Sequence, residues 1–222
     1  MAELIFDQVH YQYSGAKKET LCGVNAVFLP GKTISIVGQS GAGKSTLLYL
    51  ISGLDIPKSG EVRLDGKVLK AKDLDSYRRN IVATISQSYL LFPTRTVLEN
   101  VMYPMQLAKM DKKVIDDEAR AYLLSVGIEK ELHDRLPSKL SGGEQQRVAI
   151  ARCLAAHSLI IAADEPTGNL DEENAREVMR ILTDLAHNHG KTVIVVTHDR
   201  ELAEQTDRQY RLECGKLCKI RG

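Results

Sequence analysis

Gly38-Gln39-Ser40-Gly41-Ala42-Gly43-Lys44-Ser45 follows directly on the apolar, largely β-branched run Ile34-Ser35-Ile36-Val37. The pattern is Gly-x-x-x-x-Gly-Lys-Ser between a predicted strand and a helix that starts at Lys44. Such a loop aims backbone N–H groups and the positive end of a helix at one point, which suits a polyphosphate. Lys44 is placed to reach the β- and γ-phosphates, and the Ser45 hydroxyl to ligate Mg²⁺. The stretch therefore predicts a P-loop nucleotide triphosphatase or kinase.

Working outward, the chain alternates strand and helix patterns. Strands are expected over 4–13, 24–28, 81–85, 159–163 and 192–196, with a hairpin around Asp65-Gly66 and another turning at Gly215. Helices are expected after the P-loop as far as Gly53, over 173–187 and over 199–205. The stretch 88–157 reads as helical: Thr96 to Glu99 is a capping box, Asp111 can cap a second helix, and Ser141 a third. The expected fold is α/β, a single P-loop domain over 1–222. Its RecA-like parallel sheet core carries an antiparallel β edge and an α-helical lobe inserted at about 88–157.

Composition narrows the function. The 222 residues are 43% hydrophobic, enough for a sizeable core, and the net charge of +1 gives no bulk electrostatic case for nucleic acid or an anionic membrane. No signal peptide is read at the start, and no apolar run approaches the ~20 residues of a membrane span. A membrane role must come through a partner. Cys22, Cys153, Cys214 and Cys218 are read as unpaired thiols, although Cys214 and Cys218 could face each other across the Gly215 hairpin.

Two further constellations carry chemistry. Leu159-Ile160-Ile161-Ala162-Ala163 ends in Asp164-Glu165, carboxylates at the strand end where open α/β sheets place their ligands. Asp164 is expected to hold Mg²⁺ and Glu165 to deprotonate the attacking water. Leu140-Ser141-Gly142-Gly143-Glu144-Gln145-Gln146-Arg147 opens a helix with a Ser cap and two glycines that leave N–H groups uncovered. It is a second anion cradle, expected to close over the nucleotide of a second subunit.

These three motifs together resemble the ATP-binding subunits of ABC (ATP-binding cassette) transporters, over essentially the whole chain. The octapeptide 140–147 is similar to the ABC signature, which argues against a small-molecule kinase or GTPase. The resemblance implies ATP and Mg²⁺ as ligands, with Gly38, Gln39, Ser40, Gly41, Ala42, Gly43, Lys44, Ser45 and Thr46 around the phosphates. It places Gln87 at the Q-loop, touching metal and γ-phosphate. His198, in Thr197-His198-Asp199, looks like the switch histidine, and Asp171 matches the D-loop. Tyr13 lies about where the family stacks an aromatic ring on adenine, with Tyr11 as a competitor. The implied partners are an integral-membrane permease subunit and a second ATP-binding subunit, with no nucleic acid, at the cytoplasmic face of a bacterial membrane. Leu90-Leu91-Phe92-Pro93 offers apolar anchors for the permease, or core for the helical lobe. Gly53-Leu54-Asp55 and Gly168-Asn169-Leu170-Asp171 look like the subgroup of lipoprotein release, macrolide and antimicrobial-peptide export, and cell division. Ser86, Arg95 and Cys214 depart from that subgroup's pattern. A regulatory ATPase signalling through a membrane partner, or a soluble ABC ATPase acting on nucleic acid or ribosomes, are the competing functions.

Overall fold

The computed structural model describes residues 2–222. Two sheets build its β-structure. The first has four antiparallel strands in the order β2-β1-β4-β5: β1 (Leu4–Tyr11), β2 (Leu21–Phe28), β4 (Ser59–Leu64) and β5 (Lys67–Val68). β2 starts three residues before the predicted strand. Gly23 sits at φ 65°, opposite a register irregularity around Gln8 at φ 49°, so a bulge rather than a break lies there.

The second sheet has the order β10-β9-β3-β8-β7-β6. Its members are β3 (Lys32–Val37), β6 (Val82–Ser86), β7 (Ile160–Asp164), β8 (Thr192–Thr197), β9 (Arg208–Glu213) and β10 (Lys216–Arg221). All neighbours are parallel except the terminal β9–β10 hairpin. In that hairpin Cys218 lies opposite Arg211 and Cys214 occupies the turn at φ 48°, so the two thiols do not face each other as the hairpin reading allowed. All four cysteines are free.

Seven α-helices complete the chain among the described residues. They are α1 (Lys44–Ile51), α2 (Leu74–Asn80), α3 (Val97–Leu107), α4 (Lys112–Ser125), α5 (Gly142–Ala155), α6 (Glu172–His187) and α7 (Arg200–Glu204). Between β6 and β7 the chain is helical, with α3, α4 and α5 packed on one another. The capping signals act as the sequence suggested. Thr96–Glu99 and Ser141–Glu144 form reciprocal capping boxes, and Asp111 accepts the Lys113 amide at the start of α4. α6 buries Ala175, Val178, Met179, Ile181, Leu182, Leu185 and Ala186 at spacings of one, three and four. Each large apolar side chain so buried contributes about 1.5–3 kcal/mol.

Alternate residues of the central strands serve opposite faces of the sheet. Ile161, Ala163, Val193 and Val195 join the core under α3–α6, whereas Ile160, Ala162, Ile194 and Val196 join the core shared with α1 and the antiparallel sheet.

Candidate functional site: a nucleotide cleft at the strand ends

Parallel register decides what meets here. Val37 pairs with Thr197, Asp164 with Val196 and Ser86 with Asp164. The loops that leave these strands therefore emerge side by side: the P-loop after β3, Glu165 after β7, His198 after β8 and Gln87 after β6. This is the carboxyl edge at which α/β sheets bind ligands.

Ser40, Gly41, Gly43, Lys44, Ser45, Thr46, Gln87, Asp164 and Glu165 line one open cleft of about 420 Å³. Thr20, which the sequence did not single out, lines it too. Gly41 and Gly43 take φ of 79° and 103°, the left-handed region that L side chains disfavour. The Lys44 ammonium donates to the Gly38 carbonyl at 2.7 Å and the Gln39 carbonyl at 3.1 Å, so the loop wraps around its own cation. Gly38 has a different need for its missing side chain. A Cβ there would stand 2.4 Å from the Leu212 carbonyl of β9. Ala42, beside it, flanks the loop with Gln39 against Leu212 and Glu213.

Asp164 is half-buried. Burial, and then the neighbouring Glu165, push its carboxyl above the ordinary range, while Lys44 pulls it down. Glu165 sits at φ 45° with its amide on the Val196 carbonyl at 2.9 Å. Its Oε2 is 2.9 Å from His198 Nδ1 and accepts the His198 backbone N–H at 3.3 Å. His198 itself is exposed. Gln87 exchanges bonds with Asn169: its Nε2 donates to Asn169 Oδ1, and Asn169 Nδ2 donates to the Gln87 carbonyl, both at 3.2 Å.

Ser141, Gly142, Gly143 and Asp171 do not line the cleft. They gather where the first turns of α5 and α6 meet. Ser141 is exposed, and its Oγ accepts the Glu144 amide at 3.3 Å. The glycines follow from packing as well as from an open helix end. A Cβ on Gly142 would lie 2.8 Å from the Tyr89 hydroxyl, and one on Gly143 would lie 2.1 Å from Asn174 Oδ1. Gly143 is buried, so packing against Asn174 also calls for a glycine at this position. Asp171 caps α6, accepting the Asn174 amide at 2.9 Å and the Asn174 side chain at 2.8 Å. Those two bonds hold its carboxyl below the usual range.

The two candidate tyrosines differ in exposure and in partners. Tyr11 is buried and donates to Asp55. Tyr13 is 41% exposed, with its hydroxyl 2.9 Å from Thr46 Oγ1 on α1.

A strand–P-loop–helix with two carboxylates at the end of a parallel strand of the same sheet, one strand removed, defines a P-loop nucleotide triphosphatase. The ABC transporter family model matches residues 21–168, and the chain belongs to that family as an ATP-binding ATPase. It is 40% identical to YclH, an uncharacterized ABC transporter ATP-binding protein of Bacillus subtilis, over 98% of this chain and 96% of that one. It is 42% identical to the lipoprotein-releasing system ATP-binding protein LolD of Hahella chejuensis, over 96% and 94% of the two chains. Among solved structures it resembles a dimeric post-hydrolysis state of the ATP-binding cassette MJ0796 bound to ADP and phosphate. The TM-score is 0.87, with 36% identity over 99% of each chain. Proteins of this kind dimerise and work with membrane permeases. Among the described residues no helix is long and apolar enough to cross a membrane.

Proposed function

We propose that two copies of this chain bind ATP head to tail and hydrolyse it to drive a bacterial permease from the cytoplasmic face of the membrane. The observation that carries this reading is the separation of the two anion cradles. The P-loop opens into the cleft at the strand ends, whereas the Ser141 end of α5 is exposed and lies outside that cleft. A single γ-phosphate held by both requires Ser141 and Gly143 from a second protomer. ATP then favours the closed pair, because the second cradle gains contacts only there, and hydrolysis removes that preference.

Within the cleft, Gly38 to Thr46 would wrap the phosphates, and Lys44 would leave its two carbonyls for the β- and γ-oxygens. Glu165 would accept the proton of the attacking water, held in aim by His198, while Gln87 senses the γ-phosphate. Tyr13 would stack on adenine, and Asp171 would hold the α6 end against the partner protomer. Mg²⁺ fits the donors present: the Ser45 hydroxyl, the Gln87 amide oxygen and the Asp164 carboxylate are hard oxygen ligands lining one cleft. When bound, it would neutralise charge on the β- and γ-phosphates and relieve the Asp164–Glu165 repulsion.

The permease would dock beside Gln87. Leu90 is 64% exposed, Leu91 packs on the helical core, and Phe92 meets Tyr103 edge-on at 4.8 Å between centroids. Arg95 covers both rings, at 5.6 and 4.9 Å, which accounts for a cation where the subgroup is apolar. The task proposed is export, lipoprotein or peptide handling, or a mechanical stroke, of which lipoprotein release is the one carried by a relative's name.

The test is Glu165→Gln, which keeps the shape of the site and removes the base. Turnover should fall by about 10²–10⁴-fold with nucleotide binding intact, and the variant should elute as a dimer in size-exclusion chromatography with ATP. Elution as a monomer at saturating ATP would refute the shared site.

A further inference from the structure

An aromatic platform for a base is useful only if its own orientation is fixed, and Tyr13 is an exposed ring near the end of a strand. The ring has two neighbours, Thr46 at its hydroxyl and Tyr11 at its side. Tyr11 and Tyr13 meet edge to face, with centroids 5.1 Å apart and planes at 85°. Tyr11 is 6% exposed, and its hydroxyl donates to Asp55 Oδ2 at 2.5 Å. Asp55 is held in turn, since its Oδ1 accepts the Ile56 amide at 2.8 Å. Lys58, from the same loop, sets its ammonium 5.5 Å from the centre of the Tyr11 ring and its backbone N–H on the His10 carbonyl at 2.9 Å. The hydrogen bond with Asp55, with burial, pushes the Tyr11 hydroxyl up to about 12, so it remains a donor at any physiological pH.

The loop that carries Asp55 and Lys58 leaves the far end of α1, the helix that the P-loop starts. The two tyrosines therefore clasp that helix, Tyr13 at Thr46 in its first turn and Tyr11 beyond its last.

We propose that Tyr11 and Asp55 form a positioning pair that fixes the adenine-facing ring of Tyr13 relative to the phosphate-binding helix, and so set the preference for a nucleotide over a bare polyphosphate. This rests on the reading of Tyr13 as the base-stacking residue. Neither member of the pair lines the P-loop cleft. Their loss should weaken recognition of the base and leave the P-loop alone.

The experiment compares affinity for ATP and for inorganic tripolyphosphate, by calorimetry on the intact chain, for Tyr11→Leu, Tyr11→Phe, Asp55→Ala and the double variant Tyr11→Phe/Asp55→Ala. Tyr13→Ala is the control. Losing the ring edge should raise the ATP Kd about fivefold, and losing the hydroxyl–carboxylate bond about threefold. The double variant should be no worse than its single members, and tripolyphosphate affinity should stay within about twofold throughout. Equal loss for both ligands, or a lowered melting temperature with an unchanged affinity ratio, would reduce the pair to fold stability and overturn the proposal. An unchanged ratio in the Tyr11 and Asp55 variants, with a changed one in Tyr13→Ala, would overturn the pair alone. An unchanged ratio in Tyr13→Ala would overturn the stacking reading and the pair with it.

Discussion

Asp207→Asn tests how the P-loop strand is anchored at the end away from the nucleotide. Asp207 Oδ2 accepts the backbone N–H of Thr33 at 2.8 Å and its hydroxyl at 2.9 Å, and lies 2.9 Å from His187 Nε2 at the end of α6. Lys32 Nζ is 3.7 Å from Oδ1. Burial opposes the charge, but the Thr33 amide, His187 and the Thr33 hydroxyl outweigh it and hold the carboxyl at about 2 instead of 3.8. A carboxyl whose pKa is lowered by folding stabilises the fold above its unfolded value, and that stability is lost as pH falls through the folded one. At pH 7 the contribution is about 2 kcal/mol, and roughly half of it is gone by pH 3. Asparagine keeps the shape and one acceptor oxygen but not the charge. Urea unfolding of the nucleotide-free chain should therefore separate the variant from the parent by about 2 kcal/mol at pH 7 and by about half that at pH 3. A gap below about 0.5 kcal/mol at pH 7, or one that does not narrow with acid, would refute the anchoring role.

Gly143→Ala should cost about 1–3 kcal/mol of stability by overpacking Asn174, read from the urea midpoint, and adding Asn174→Ala should recover part of it. Arg152→Met removes a guanidinium that donates to the Leu90 carbonyl at 2.7 Å and the Tyr89 carbonyl at 3.2 Å, at two residues of positive φ. It should destabilise by about 1–3 kcal/mol, and hydrogen exchange over 89–92 should speed up while the α1 amides stay protected. Lys44→Ala should abolish ATP binding in calorimetry while leaving the melting temperature of the empty chain nearly unchanged.

What the sequence made legible was local. The P-loop is decided within eight residues, and the capping box at Thr96 and the caps at Asp111 and Ser141 within four, and each signal is read directly. α2 escaped notice because a seven-residue helix that buries only Leu74 and Tyr77 has no period to detect. Strand order escaped because β3 sits between β8 and β9, neighbours from the far end of the chain. The same distance hid the demands on single residues. Gly38 answers to Leu212, and Gly143 to Asn174, contacts no linear pattern announces. The contact between His198 and Glu165 was likewise out of reach, since it depends on β7 and β8 lying side by side.

The interleaving of β7 and β8 between two apolar cores has an evolutionary consequence. One residue gained or lost in either strand would invert its whole inward and outward assignment, emptying both cores of their proper contents at once and carrying Asp164 or His198 out of alignment with the P-loop. Length changes among descendants of this chain should thus accumulate in the connections, while these two strands keep a constant residue count even where their side chains drift.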